Sequence, residues 1–582
     1  MIAAEIQAEE ARVCRWLIKA FWVLAIVLGL VAFWIDRNST NTDGISYVDV
    51  ASAFSRHDWT AGINAYWSPL YPFILGLALR LLRPSPFKEF TVVHLVNFVI
   101  FLGAAASFNF FMSRLLRRQR QLAQRDGAAA VVFLPEWAML ALGYALFLWT
   151  SLRLITISDI SPDMLVALFV YVAAGIVLGM RSERVLDFAV LGAILGLGYL
   201  AKAPMLPVGI IFLAGAIIFA HDLRKAAIRL PIAIAALIIA AAPFAVALSH
   251  IEGRFTWGDS AKLNYAWYVN HVPRYHWQGD MRGLGSPIHP TKKIYEVPAV
   301  YEFHGPKPAT YSIWFDPSYW NEGVRDVFDW KSILVQIRIN LQVYDDVILT
   351  QQGYLIVTCA LLFLLGTRTE SAMSSVAKYG VILLPAIAAL TMYVLVHVEN
   401  RMIAPFDVLL WMGLFAAVRF EGSSEIRRAA EYVVICVVAF TVLIMGLGQL
   451  GDIASHGRAE LTAWSNDEAL PQWQIATSLR RLGVEPGDKV AWIRPSVFDD
   501  KIQNYSWARL ARVEIVAEIS TGGADDFWSA SPAEQSKILD AFARTGAVAL
   551  VVTKIPARFS PGGWLPLGKT GYFLHPLQAP KQ

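Results

Sequence analysis

Four short stretches put acids and bases where an apolar chain has least use for them. "STNTDGISYVDVASAFSRHDW" (39–59) carries Asp43, Asp49 and Asp58 directly after the first apolar segment. "TISDISPDMLVALF" places Asp159 and Asp163 at the mouth of another, and "GLGYLAKAPMLP" sets Lys202 in a Gly/Pro-interrupted break. "VHVENRMIAPF" brings His397, Glu399 and Arg401 into a very short turn. A carboxylate within hydrogen-bond reach of a hydroxyl can take its proton. A preorganised lysine or arginine can stabilise an anion as it forms. Acids and cations of this kind, gathered at a membrane edge, would suit transfer chemistry with an anionic leaving group.

Each residue also has a purely structural reading. Asp43 precedes a helical stripe of Ile45, Val48, Ala51 and Phe54, so it suits an N-cap, its carboxylate on the free N–H groups. Asp49 lies about 240° further round that helix and, like Asp58, reads as solvated or structural. Pro162 suits a helix start, and Asp163 suits the positive end that follows. Asp159 and Asp163 are four apart and share a face, where they repel unless a cation intervenes. Lys202 is the expected partner of one of them, and it must snorkel, pair or bind an anion. Arg401 forms either an interfacial salt bridge worth little or a fork presented to a phosphate.

The elements that position these groups are membrane helices. Of 582 residues, 56% are hydrophobic and 16% charged, against about 25% charged in soluble proteins. Twenty Trp suit two membrane interfaces. The sequence predicts about eleven spans: 16–35, 90–112, 129–149, 162–180, 185–201, 204–220, 229–249, 350–366, 379–397, 402–418 and 431–450. The first reads as an uncleaved helix rather than a signal peptide. "SPLYPFILGLALRLL" (68–82) is too short to span and reads as interfacial or re-entrant. With the N-terminus cytoplasmic, "RLLRRQRQLAQR", "RSER", "HDLRKAAIR", "RTESAMSSVAK" and "RFEGSSEIRR" all fall on the cytoplasmic side. The outer face then receives a first loop, 36–89, the turns near Lys202 and Arg401, a large loop, 250–349, and the tail.

That large loop is rich in aromatics and His ("NYAWYVNHVPRYHWQG", "YSIWFDPSYWNEG"), which suits a cleft lining or a lid anchored at the interface. The tail, 466–582, reads as a small α/β domain with a capping box at Ser531 and Glu534 and a closing hairpin. Neither the four loop histidines nor Cys14, Cys359 and Cys436 show metal-ligand spacing. Whether a divalent metal takes part is left open. The net charge of +4 sits in short blocks between apolar segments and gives no nucleic-acid signature.

In order and sidedness, "TDGISYVDVA", "YWSPLYPFIL", "SPDML", "GYLAKAPML" and "ENRMIAPF" resemble the GT-C superfamily of integral-membrane glycosyltransferases. The nearest branch is the bacterial one of protein O-mannosyltransferases, the aminoarabinose transferase of lipid A and RgtA/B/C/D-like proteins. The resemblance covers roughly 16–420. It implies that the membrane part, 1–450, is a catalytic domain in a bacterial inner membrane, beside the 466–582 domain that sidedness places outside the cytoplasm. It implies a polyprenyl-phosphate-sugar donor, a lipid, glycan or protein acceptor, and an inverting single displacement. By position Asp43 resembles the catalytic aspartate. Lys202, Arg401, Tyr47 and Trp67 resemble substrate and phosphate contacts, with Asp159, Asp163 and Glu399 in support. The Glu-Lys-Pro-Pro stretch of the aminoarabinose-transferase type is replaced here by "YWSPLYP". A flippase or transporter of lipid-linked saccharides, or a surface polysaccharide polymerase or ligase, is the alternative. A transporter is expected to show internal repeats with paired broken helices, and none is visible in the sequence.

Overall fold

The computed structural model describes residues 2–125, 131–279, 283–366, 369–421, 424–457, 460–462, 470–494, 505–520, 522–556, 559 and 562–577. Within them, every expected span is mostly helical, though 129–149 opens with a strand, Val131–Phe133, paired with Arg419–Glu421, before its helix. In chain order these are Ile2–Asp36, Glu89–Arg125, Glu136–Trp149, Asp163–Gly179, Val185–Ala201, Met205–Ile218, Leu223–Ile251, Gly353–Gly366, Gly380–Val396, Asn400–Ala417 and Ser424–Asp452. Among the described residues five helical stretches are long and apolar enough to cross a membrane. A sixth counts if Trp330–Gln351 and Gly353–Gly366, bent by 65°, form one span. The helices of 14 to 17 residues reach about 21–26 Å at 1.5 Å per residue, short of a hydrocarbon core of about 30 Å. The Asp163–Gly179 helix is buried along most of its length. The chain is a polytopic helical membrane protein with a small α/β domain toward its C-terminal end.

Small residues set the closest helix contacts. A Cβ on Gly192 would lie 1.9 Å from the carbonyl oxygen of Ala233, and one on Gly196 would lie 2.7 Å from that of Leu237. The Val185–Ala201 and Leu223–Ile251 helices therefore meet backbone to backbone, as small-residue seams allow in lipid.

The first loop, 36–89, is built on two longer helices, Thr42–Ser55 and Leu70–Leu82, with the short Trp59–Gly62 helix between them. The second, 13 residues long, reaches only about 20 Å, too short to cross. It lies against the first, where Gly76 faces the Ala51 carbonyl so closely that a Cβ would sit 2.6 Å from it. The first helix is buried almost throughout.

The α/β domain is built on a seven-stranded sheet. Its parallel centre is Glu514–Ile519, Lys489–Ile493 and Ala549–Val552. The expected hairpin, Leu565–Pro566 with Phe573–Pro576, extends one edge. The other edge comes from the large loop, as Val300–Glu302 pairs antiparallel with Glu514–Ile519 and Lys292–Tyr295 lies outside it. The sheet is thus not confined to the tail. The expected start of the tail domain at 466 lies outside the described residues. The Ser531–Glu534 capping box is present.

Arg509 fastens this domain to the first loop, 36–89. Its guanidinium donates to Glu89 at 2.7 and 2.9 Å, to Asp49 Oδ1 at 2.6 Å and to Ser52 Oγ at 2.5 Å. Asp49 is therefore a buried ion-pair partner, not a solvated acid. It also accepts from the backbone and hydroxyl of Thr310. A second buried knot ties the loop to the sheet. Glu518 Oε1 accepts from Tyr311 and contacts His276, both at 2.9 Å, with Arg494 at 3.5 Å.

Candidate active site

The Thr42–Ser55 helix is capped by Asn41, whose Oδ1 accepts from the Gly44 amide at 2.7 Å. This corrects the reading of Asp43 as the cap. Asp43 sits within the first turn and its carboxylate points elsewhere. Gly44 is required for the seat. A Cβ there would lie 2.5 Å from Asn41 Oδ1 and 2.7 Å from Ile160 Cβ. Without one, the helix start presses onto the Thr156–Pro162 segment that leads into Asp163.

Asp43 Oδ1 accepts from the indole N–H of Trp314 at 3.0 Å, and Oδ2 accepts from Arg401 Nη2 at 3.1 Å. Each carboxylate oxygen has two lone pairs, so one on each stays open to a hydroxyl. The Asp43 side chain is 25% exposed, into a cavity.

Arg401 is shared by three acids. Its Nε donates to Glu399 Oε2 at 2.6 Å and lies 3.6 Å from Asp163 Oδ2, while Nη2 takes Asp43. Lys202 Nζ donates to Asp163 Oδ1 at 2.6 Å, choosing Asp163 over Asp159. Asp163 is 2% exposed, and a buried carboxylate persists only with such partners. Lysine carries three N–H donors, and Lys202 also lines the cavity. Burial alone would raise the Glu399 carboxyl, but the His397 hydrogen bond and the Arg401 charge outweigh it and hold it well below its usual range. The Arg401–Glu399 contact thus joins a mostly buried guanidinium, which also holds Asp43 and Asp163, to a carboxylate still 39% exposed.

Asp159 does not line the cavity. Its backbone carbonyl accepts from Asn97 at 3.2 Å. Burial pushes its carboxyl up to about 6, with Asp163, Glu399 and Asp43 adding to the rise and Arg401 opposing it. It belongs to the field around Arg401, one step back from the open space.

The cavity holds about 290 Å³, near the lower end of ligand pockets. Aromatic rings form much of its wall. Tyr47 meets Trp67 edge to face at 4.8 Å, and Tyr66, Trp267 and Trp314 pack within 6.0 Å of one another. Trp67 spends its indole N–H on the carbonyls of Trp314 and Phe315. With Ser46 on Trp314 and Asn64 on Phe315, this clamps the turn that aims Trp314 at Asp43. Arg274 lies 4.5 Å over the Tyr268 ring and also lines the cavity. Tyr268 stacks on His397 at 3.8 Å, and burial first of all pushes its hydroxyl up to about 12.

Asp43, Tyr47, Trp67, Asp163, Lys202, Glu399 and Arg401 therefore meet around one cavity, with Asp159 behind them. Tyr66, Trp267, Tyr268, Arg274 and Trp314 escaped the sequence reading. The last four lie in the large loop, whose aromatic richness was their only signal, and Tyr66 opens the first-loop stretch "YWSPLYPFIL". Among the described residues no group of three or more His, Cys, Asp or Glu is arranged to hold a metal ion. The cations facing these carboxylates are Arg401 and Lys202.

No family model matches the sequence, and no curated protein matches it. Among solved structures, the chain is similar to ArnT from Cupriavidus metallidurans in the apo state, at 11% identity and a TM-score of 0.41, covering 97% of this chain and 99% of that one. The same protein bound to undecaprenyl phosphate matches at 12% identity and 0.40, with the same coverage. The apo oligosaccharyltransferase of Archaeoglobus fulgidus matches at 11% and 0.40, covering 91% of this chain and 69% of that one. These are distant likenesses of chain path. The fold and the site described above rest on the chain's own helices, strands and contacts.

Proposed function

We propose that the protein is a GT-C type integral-membrane glycosyltransferase. It moves a hexosyl or pentosyl unit from a polyprenyl-phosphate donor to a lipid, glycan or protein acceptor, by inverting single displacement. The observation that carries this reading is that Asp43 shares one cavity with Lys202, Arg401 and Arg274. Asp43 thus touches Arg401 directly and, with Lys202 and Arg274, opens onto a shared space of about 290 Å³.

In this reading the acceptor hydroxyl gives its proton to Asp43 as its oxygen bonds to the anomeric carbon. The bond from that carbon to the phosphate oxygen breaks on the opposite face, and the polyprenyl phosphate leaves with the electron pair. Lys202 and Arg401 stabilise the charge that develops there. Glu399, Asp163 and Asp159 hold and aim the two cations. Tyr47 and Trp67 offer ring faces to the sugar.

The basic loops support a cytoplasmic N-terminus. Residues 1–450 then form the catalytic membrane domain, 466–582 an extracytoplasmic domain, and the site opens at the outer face of a bacterial inner membrane. Membranes containing the protein, supplied with labelled polyprenyl-phosphate monosaccharides, should transfer label from one donor to an acceptor. Label that crosses the membrane still attached to its lipid, with no transfer from any donor, would contradict the reading and favour transport.

A further inference from the structure

A second cavity, of about 1110 Å³, lies at the other end of the same helices. The Glu89–Arg125 helix shows the separation. Its Asn97 bonds to the Asp159 carbonyl beside the candidate site, while Arg114, Arg117 and Arg118 line the second cavity. Twenty residues of helix separate Asn97 from Arg117, which is about 30 Å, the thickness of the hydrocarbon core. The Asp163–Gly179 helix repeats the pattern, with Asp163 at one cavity and Gly179 at the other. So does Gly380–Val396, with Val396 and Val381.

The second cavity is amphipathic. Arg114, Arg117, Arg118, Arg181, Arg184 and Lys378 line it, and among the described residues Glu183 and Asp187 are the acids that do. Beside them Leu186, Val190 and Phe219 line it and are exposed on the flank of the bundle. The cationic part is built rather than loose. Asp187 accepts from the Arg181 amide at 3.1 Å and lies 3.6 Å from Arg184 Nε, which fixes the 181–184 turn. Arg114 lies over the Phe110 ring at 5.1 Å, in room left by Gly179, where a Cβ would sit 3.1 Å from Arg114 Nη1. Orientation in the membrane needs positive charge alone. It needs neither a cavity nor an apolar wall continuous with it.

We propose that this cavity binds the headgroup of an anionic phospholipid of the leaflet opposite the candidate active site. The phosphate lies among Arg117, Arg181 and Arg184, and an acyl chain runs along Leu186 and Val190. Basic pockets between membrane helices bind phosphate headgroups in this way. The site does not depend on the reaction assigned above.

The test is native mass spectrometry of the purified full-length protein, exposed to mixed micelles of phosphatidylglycerol or phosphatidylcholine with matched chains. The wild type should retain phosphatidylglycerol selectively. Arg117→Gln/Arg181→Gln/Arg184→Gln should reduce that retention about ten- to hundredfold, because each basic residue near an anionic headgroup contributes several-fold. These side chains are exposed or at the surface, so the triple variant should fold, and its elution on size exclusion should match the wild type. Arg80→Gln/Arg83→Gln, at the other face, should retain lipid as the wild type does. Equal retention by the triple variant, or equal loss in the control, would overturn the proposal. So would wild-type protein that retains no phosphatidylglycerol but binds inorganic phosphate, which would make the ligand a free anion.

Discussion

Arg401 donates to Asp43 at 3.1 Å across 358 positions of sequence, and the same guanidinium holds Glu399 at 2.6 Å. The candidate base and a candidate phosphate cation are therefore locked in one network before any substrate enters. A phosphate arriving at Arg401 would compete with Asp43 for it. The fork geometry matters here, because only arginine can serve several planar acceptors at once. Arg401→Lys keeps the charge but loses the fork. Each charge-assisted hydrogen bond contributes about 1.5–3 kcal/mol, so kcat/KM for sugar transfer should fall about 10- to 100-fold. The midpoint of thermal unfolding should drop as well. Unchanged kcat/KM in a properly inserted variant would remove Arg401 from the site.

Asn41 and Asp43 separate capping from chemistry. Asn41→Ala deletes the bond to the Gly44 amide and should cost about 1 kcal/mol of stability. Transfer should then fall only to the extent that folded protein is lost. Thermal unfolding and specific activity per folded molecule, measured together, check this. A loss of specific activity as large as that of an Asp43 variant would mean that the helix start, not the acid, is what matters.

Lys202 and Asp163 form a buried pair at 2.6 Å. Removing Lys202 leaves the buried Asp163 carboxylate to the longer 3.6 Å contact with Arg401, at a cost of up to about 3–5 kcal/mol. Lys202→Met alone should be strongly destabilised. Lys202→Met/Asp163→Asn should regain most of that stability yet remain inactive, since the cation facing the leaving group is gone. Recovery of transfer in the double variant would assign the pair a purely structural role.

Asp159 makes stability depend on pH in a direction opposite to that of most carboxylates. Its pKa is raised to about 6 in the folded chain, against about 3.9 unfolded. Below about pH 4 both states hold the proton and the group contributes no difference. Between about 4 and 6 the unfolded chain releases its proton first, so stability falls as pH rises, by at most about 3 kcal/mol. Asp159→Asn should therefore raise the unfolding midpoint at pH 7.5 and leave it nearly unchanged at pH 4. A variant less stable than the wild type at pH 7.5 would refute this electrostatic account.

Much of the site was legible because membrane physics makes charge conspicuous. Lys202 and Asp163 stood out as ions at the ends of apolar segments, and sidedness placed them together. What could not be read was choice between neighbours of like chemistry. Asn41 and Asp43 are both good cap residues, and only the approach of Gly44 to Ile160 decides that Asn41 caps while Asp43 turns inward. Trp314 reaches Asp43 across 271 positions of chain, and nothing local in its loop marks it among so many aromatics. Nothing in the sequence around Arg509 sets it apart from the domain's other arginines, yet its burial against Asp49 and Glu89 joins that domain to the helix bearing Asp43. The Lys292–Tyr295 and Val300–Glu302 strands were missed because three- and four-residue edge strands are set by the sheet they join, not by their own pattern.

The central claim is that Asp43 takes the acceptor proton. The most direct measurement compares sugar transfer from labelled polyprenyl-phosphate donors by membranes containing wild-type protein or Asp43→Asn, matched for inserted protein by blot. Asparagine retains the shape and the contact with Trp314 but cannot act as the base. Transfer should fall about 10²- to 10⁴-fold in the variant, with donor binding retained. Equal transfer by the two would contradict the account and leave Asp43 as a structural partner of Arg401.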